Sequence, residues 1–324
     1  MTFRLKTLLG AAAFLAAFTL SAHAQTTLKW AHVYETSEPF HTDSVWAAQE
    51  IAKRTDGRYK IDVFPASQLG KEADINQGLK LGTVDIIISG SSFAARDYKP
   101  IGVTYYPYVF RDPGHLIAYT RSDVFQRLAK GYEDRTGNHI VAVSYYGTRH
   151  TTSNRPIEKC ADMQGLKMRV PDVPAYLAMP RACGANTTPI AFAEVYLALQ
   201  NGTVEAQENP LTTIEAKKFY EVQKHIVLSG HIVDHLNTLI SKTRWESLSD
   251  EDKAIFTEVM QEAAARTTKT IEEHENALVE EFRKNGLTVT EVDKADFEKN
   301  VIEKVKLEDF GYEQADWEAI RALQ

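Results

Sequence analysis

The chain has only two cysteines in 324 residues, Cys160 and Cys183, and neither sits in a Cys-x-x-Cys pair or beside a histidine. That argues against a zinc ribbon or a dithiol redox site. A single disulfide or two inert buried thiols remain. Basic residues are also short: 37 Lys and Arg against 44 Asp and Glu give a net charge of −7. Such a balance carries no electrostatic footprint for nucleic acid. Beyond the first two dozen residues no apolar run is long enough to span a bilayer. The phosphate loop Gly-x-x-x-x-Gly-Lys-Ser/Thr, the dinucleotide fingerprint Gly-x-Gly-x-x-Gly after a strand and the Gly-x-Ser-x-Gly elbow are missing. His-Glu occurs once, at His274-Glu275, without a second zinc-spaced histidine, and the ten histidines do not cluster at ligand spacing. Cofactor, metal and enzymatic readings therefore have little to rest on. Internal repeats, low-complexity tracts and Pro/Gly-rich linkers are also absent.

What is present begins with an export signal. Arg4 and Lys6 precede the apolar run Leu8–Leu20, and Ala22-His23-Ala24 follows as a small-x-small cleavage site. This pattern predicts a signal peptide over residues 1–24, a mature chain from Gln25 and a periplasmic location. Losing Arg4 and Lys6 takes the net charge to about −9. About 300 residues suffice for two lobes with sizeable cores. In an oxidising compartment the even cysteine count permits a Cys160–Cys183 bridge. Cys160 precedes a strand at Lys167–Val170 and Cys183 ends the next helix, so both fall at one end of a βα unit.

Strands and helices alternate along the first two thirds. Thr27–Tyr34 and Tyr59–Phe64 alternate with period two, and Val84–Ser89 is a short apolar run suited to a strand covered on both faces. Thr42–Lys53 and Lys71–Leu81 read as helices ended near Gly57 and Gly82. Further strands are expected at Ile140–Tyr145, Leu166–Val170 and Thr203–Glu208, with helices from about Pro174 and over Ala191–Gln200. Pro180 predicts a kink or early break in the first of these helices. The fold class is therefore α/β with mainly parallel pairing. From Ser249 to about Gly286 the pattern is helical, with Ser249 as N-cap and acidic residues in the first turn. At about 1.5 Å per residue it is longer than a small domain is wide. It is expected to lie along both lobes, with a bend near Ala263–Thr268 as the alternative.

Residues 145–210 carry the candidate chemistry. Arg149 follows a strand end and Arg169 lies on a strand, and an arginine fork holds a carboxylate through two parallel charge-assisted hydrogen bonds. Taken alone, these arginines read first as surface charge, Asn209-Pro210 as a turn and Phe192 as core. Ser89-Gly90-Ser91-Ser92 follows a buried strand and offers hydroxyls and backbone N–H groups where α/β proteins bind ligands.

The surrounding motifs decide between these readings. Tyr146-Gly147-Thr148-Arg149, Thr152-Ser153-Asn154-Arg155, Ala161 through Pro171 (ADMQGLKMRVP), Pro189 through Gln200 (PIAFAEVYLALQ) and Gln207-Glu208-Asn209-Pro210 resemble the solute-binding proteins of tripartite ATP-independent periplasmic (TRAP) transporters, the DctP type. Phe64 through Gly70 and Phe219 through Lys224 fit as well. The resemblance implies a two-lobed periplasmic binding fold with a hinge and a long helix spanning both lobes. Its lobes are expected at 25–146 plus 235–274 and at 147–234 plus 275–324. It further implies no catalytic role, no cofactor, an organic-acid ligand and a membrane permease as partner; a shuttle between solvent and permease is simplest as a monomer. Arg169 matches the family's carboxylate-pairing arginine, Arg149 and Asn209 its neighbours, and Phe192 a residue packing on the ligand.

The other lobe departs from the sialic-acid-binding members, with Val33, Gly90 and Phe93 where those carry polar side chains. It offers His32, Glu35, Glu38, Glu72 and Ser89 instead. Groups of this kind share hydrogen bonds with sugar hydroxyls and repel a second carboxylate. The expected ligand is a hexuronate such as galacturonate or glucuronate, held by Arg169, Arg149, Asn209, Phe192, Glu72, His32 and Ser89. Sialic acid, a C4-dicarboxylate, a role in sensing and a secreted hydrolase are the competing readings.

Overall fold

The computed structural model describes residues 25–324; the expected signal peptide lies outside the described residues. Strands β1 (Thr26–Ala31), β2 (Tyr59–Phe64) and β3 (Ile86–Gly90) alternate with helices Pro39–Arg54 and Glu72–Leu81. β1 pairs in parallel with both β2 and β3, as helical crossovers require. β3 is buried at every position, which accounts for its nearly unbroken apolar sequence. Strands β4 (His139–Ser153), β5 (Lys167–Val170), β6 (Asn186–Pro189), β7 (Ala206–Pro210), β8 (His225–Ile240) and β9 (Thr288–Thr290) complete one sheet of order β2-β1-β3-β8-β4-β7-β5-β6, with β9 beside β8.

Two strands hold this sheet together. β4 has 15 residues and β8 has 16, so each runs about 50 Å. They pair antiparallel along their length but change outer partners on the way. The C-terminal part of β8 pairs with β3, and its N-terminal part with β9. The C-terminal part of β4, Arg149–Ser153, pairs with β7. The change coincides with register shifts between Tyr145 and Gly147 and between Arg149 and Thr151. Such bulges bend and twist a strand. Gly147 adopts φ +124°, and a Cβ there would lie 2.6 Å from Cβ of Pro210, so only glycine fits. Sequence reading ended β4 at Tyr145 and did not identify β8.

The helix Asp250–Lys284 is continuous for 35 residues, without a break near Ala263–Thr268. Ser249 caps it by accepting the N–H of Asp252 at 3.1 Å. Its buried stripe runs from Phe256 through Val259, Met260, Ala263, Thr267 and Ile271 to Leu278 and Phe282, the spacing of one helical face. The N-terminal half meets helix Pro39–Arg54, where Asp43 accepts Thr267 Oγ1 at 2.8 Å and Arg266 Nε at 3.1 Å. The C-terminal half supplies Leu278 and Phe282 to a separate core with Val195, Leu199, Leu211, Phe219 and Ile226. Between them the helix grips β4 on both sides of Gly147. Thr268 Oγ1 accepts the N–H of Tyr145 at 3.0 Å, and Glu275 accepts the N–H of Thr148 at 2.8 Å. The helix thus spans both groups of strands.

Cys160 and Cys183 are joined by a disulfide with Cα atoms 4.8 Å apart, at one end of the β5–helix unit. That helix, Pro174–Ala182, runs through Pro180 instead of breaking there. Pro180 lies two residues from its end, so the missing N–H removes only a bond of the last turn. Closing a loop of 23-residue separation constrains the unfolded chain by about 3 kcal/mol. Replacing both cysteines by alanine is expected to lower unfolding free energy by about that amount in reversible denaturant titrations. An unchanged midpoint would show that the bridge restrains nothing the unfolded chain explores.

Candidate functional site

A cavity of about 420 Å³ lies where the carboxyl ends of β1, β3, β5, β6 and β7 face one another, within the usual range for small-ligand sites. Val33, Tyr34, Glu72 and Phe93 line it from the β1–β3 side. Arg149, Arg169, Tyr176, Ile190, Phe192 and Asn209 line it from the other. Polar contacts cross its mouth. Lys71 reaches Glu194 at 3.3 Å and Arg96 reaches the Asp172 carboxylate at 3.2 Å, while beneath them, buried, Ser92 donates to the Tyr176 hydroxyl at 3.3 Å. The cleft is therefore closed in this structure.

Arg169 projects from β5 and is 2% exposed. Its Nε and Nη2 both donate to the Ile190 carbonyl, at 2.9 and 2.8 Å, which fixes the guanidinium plane. Nη1 is buried without a partner. Burial lowers its pKa to about 10, with Arg149 adding repulsion and Glu208 opposing it, so it stays cationic at neutral pH. A buried cation lacking an anionic partner is costly, and an incoming carboxylate relieves that cost.

Arg149 is in the opposite state. Nη2 donates to Glu208 Oε1 at 2.7 Å, Nε to the other oxygen of the same carboxylate, and Nη1 to Asp234 Oδ2 at 2.8 Å. Nη2 also reaches Asn209 Oδ1 at 3.1 Å. Burial acts to lower its pKa, but Glu208 and Asp234 hold it well above the ordinary value. Glu208 falls below its ordinary value: burial acts to raise it, and Arg149 together with a hydrogen bond from His231 outweighs this. The Arg149 guanidinium carbon also lies 4.8 Å from the Tyr176 ring centroid, a cation–π contact. So the two arginines expected to share a carboxylate do line one cavity, but only Arg169 is uncompensated. Asn209 donates through Nδ2 to Gln207 at 2.6 Å, so its amide orientation is fixed from both ends.

The remaining candidates separate. Phe192 lines the cavity half-buried, with Lys217 Nζ 5.2 Å from its ring centroid. Glu72 stands at the start of its helix with its open side toward the cavity. Oε1 accepts Ser89 Oγ at 2.8 Å and the N–H of Gly90 at 3.1 Å. Deep placement pushes its carboxyl up to about 7, against the hydrogen bonds from Ser89 and Gly90. Ser89 itself is fully buried beneath Glu72 and does not line the cavity. His32 does not reach it either. Its ring turns inward, Nε2 lies 3.3 Å from Nδ1 of His41, and burial drops its pKa to about 3. Just past the end of β1, Val33 and Tyr34 reach the wall while His32 turns behind it toward the helix bearing His41. Glu35 pairs with Lys217 at 2.6 Å, and Glu38 accepts from Thr213 and from the N–H of Glu35, so both are structural.

Sequence reading missed Glu208, Asp234, Tyr34 and Tyr176. Glu208 stood within the Gln-Glu-Asn-Pro motif itself, whereas Asp234 comes from the unrecognised β8. Removing Glu208 leaves Arg149 short of its main counter-charge. Glu208→Ala is expected to destabilise the ligand-free protein by about 3–5 kcal/mol in denaturant titrations, and Arg169→Ala by far less. Equal losses would contradict this division of charge.

Comparison with known proteins agrees with the geometry. The profile of the family described as "bacterial extracellular solute-binding protein, family 7" matches residues 30–309. The sialic acid-binding periplasmic protein SiaP of Vibrio cholerae is 35% identical over 280 residues, 85% of this chain and 87% of that one. A TRAP periplasmic solute-binding protein from Bordetella bronchispeptica, with density assigned to pantoate, superposes with a TM-score of 0.87 at 32% identity, covering 93% of this chain and 100% of the other. One from Xanthobacter autotrophicus with bound β-D-galacturonate gives 0.86 at 27% identity, covering 92% and 100%. No helix among the described residues is long and apolar enough to cross a membrane. With a closed two-lobed cleft, a buried arginine pair and a family match over most of its length, this chain belongs to the extracellular solute-binding proteins of family 7, which serve TRAP transporters.

Proposed function

We propose that this protein captures a hydroxylated monocarboxylate in the periplasm, most consistently a hexuronate such as galacturonate or glucuronate, and delivers it to a membrane permease without chemical turnover. The observation that carries this reading is the Arg169 guanidinium, fixed on the Ile190 carbonyl and left with a buried, unpaired Nη1 beside the cavity. A ligand carboxylate meets Nη1 and, behind it, the Asn209 amide. The charge of Arg149 is already met by Glu208 and Asp234, so Arg149 shapes the wall and adds only its remaining N–H. Phe192 and Tyr34 offer apolar faces to the carbon skeleton of a sugar acid.

The far wall selects against a second acid group. Glu72 lines the cavity there, while the cation Lys71 on the same side is paired across the mouth with Glu194. A second ligand carboxylate would meet this acidic wall, whereas hydroxyls donate to it. The ligands named for the relatives above, sialic acid, pantoate and galacturonate, are likewise hydroxylated acids with one carboxylate. In this reading the lobes comprise 25–146 with 235–274 and 147–234 with 275–324. They turn about the crossings at Gly147 and Asp234, and the chain acts as a monomer.

A thermal-shift screen over uronates, aldonates, sialic acid and C4-dicarboxylates tests the ligand class, since a tight ligand raises the melting temperature by mass action. A uronate is expected to give the largest shift, and a response to dicarboxylates alone would overturn the proposal. For the responding acid, Arg169→Ala is expected to lower calorimetric affinity by more than about tenfold, the loss of one or two charge-assisted hydrogen bonds. Unchanged affinity would remove Arg169 from the site.

A further inference from the structure

The protein treats the two carboxylate oxygens of Glu72 differently. Oε1 accepts from Ser89 Oγ and from the N–H of Gly90, whereas Oε2 has no hydrogen-bond partner among the described residues. Behind Ser89 stands Asn76, which does not line the cavity. Its Nδ2 donates at 2.8 Å to the main-chain carbonyl of Glu72 and at 2.8 Å to Ser89 Oγ. A carbonyl only accepts, so the amide nitrogen and not its oxygen must occupy that position. Ser89 Oγ then receives an N–H and has its single O–H left to give, and the partner placed to take it is Oε1. With two donors aimed at Oε1, a proton on that oxygen would confront them.

We propose that Asn76 and Ser89 are positioning residues that confine the titrating proton of Glu72 to Oε2, so that a ligand hydroxyl donating to Oε2 displaces that proton to solvent. This rests on the reading above that the ligand is a hydroxylated acid. It adds a direction to it: the far wall turns from hydrogen-bond donor to acceptor when Glu72 ionises. The charged and titratable groups facing Glu72 are Arg149 and Asp234 at the strand crossing, Tyr34 after β1 and Tyr176 from the helix after β5. Both tyrosines are raised well above their ordinary value by burial and stay neutral, and Arg149 stays charged. Asp234 is raised by burial too, against its ion pair with Arg149, whereas Glu72 makes no ion pair among the described residues and burial holds its carboxyl up at about 7.

The sign follows. A hydroxyl donor stabilises the ionised carboxylate, so binding is weakened wherever the ligand-free protein holds the proton. Affinity is expected to rise about tenfold from pH 6 to pH 8 and then level off. Calorimetry with D-galacturonate in buffers of different ionisation enthalpy is expected to show close to one proton released at about pH 6 and almost none at about pH 8. Glu72→Gln is expected to abolish both effects.

The ligand-free protein gives an independent readout. The infrared carbonyl band of the protonated Glu72 carboxyl, taken as wild type minus Glu72→Gln, reports its titration midpoint without any ligand. Ser89→Ala removes a donor to Oε1, and Asn76→Leu frees Ser89 to turn away. Each is expected to move that midpoint up by about one pH unit. A merely structural role for Asn76 would lower stability and leave the midpoint in place. The proposal is overturned if both variants titrate like the wild type, or if galacturonate binds at about pH 6 without releasing a proton. Should no hydroxylated acid bind, the ligand reading fails alone, and the infrared midpoints still decide where the proton sits.

Discussion

A guanidinium buried where two long strands cross is stable only if carboxylates surround it, and this requirement organises the site. Arg149 of β4 is held by Glu208 of β7 and Asp234 of β8, so one ionic cluster ties the two long strands to each other and to β7. Breaking one partner away would leave a charge in a medium that screens it poorly. The cluster therefore fixes the crossing, and the crossing fixes the cavity. Gly147 provides the backbone freedom at this point, and the long helix holds β4 on either side of it through Thr268 and Glu275.

Against this neutralised neighbour, Arg169 stands out as a cation with its geometry settled and its charge unmet. The two arginines are chemically identical and both are buried, yet they serve different ends because their partners differ in charge. The Ile190 carbonyl orients Arg169 without neutralising it. The Glu208 carboxylate does both for Arg149. A carbonyl on one side and a carboxylate on the other are enough to convert a symmetric-looking pair into a structural arginine and a ligand-seeking one.

Much of the fold is written locally. β2 spans the residues its alternation predicts, β1 and β3 fall within two or three residues of expectation, and the long helix is capped at Ser249 as read. β8 escaped because its apolar pattern is interrupted by Ser229-Gly230, His231, Asp234 and His235. Those polar side chains are buried: Ser229 meets Thr151, His231 meets Glu208, Asp234 meets Arg149 and His235 Nε2 meets Ser91, partners that sequence spacing does not reveal. The same limit applies in the cleft. The motif around Arg169 marked it as special, but the burden carried by Glu208 became visible only once β4 and β7 were seen side by side. His32 misled for the complementary reason. A polar residue just past a strand end resembles a ligand group until the helix bearing His41 is placed behind it.

The contacts across the cleft mouth have a further consequence. Lys71–Glu194 and Arg96–Asp172 join exposed or half-exposed partners, and such pairs contribute about 0–1 kcal/mol each. They fasten the closed form only weakly, and dissolved ions screen them over roughly 8 Å at physiological salt. Added salt therefore reaches these two surface pairs first, while the ionic cluster around Arg149, sealed from solvent, keeps its strength.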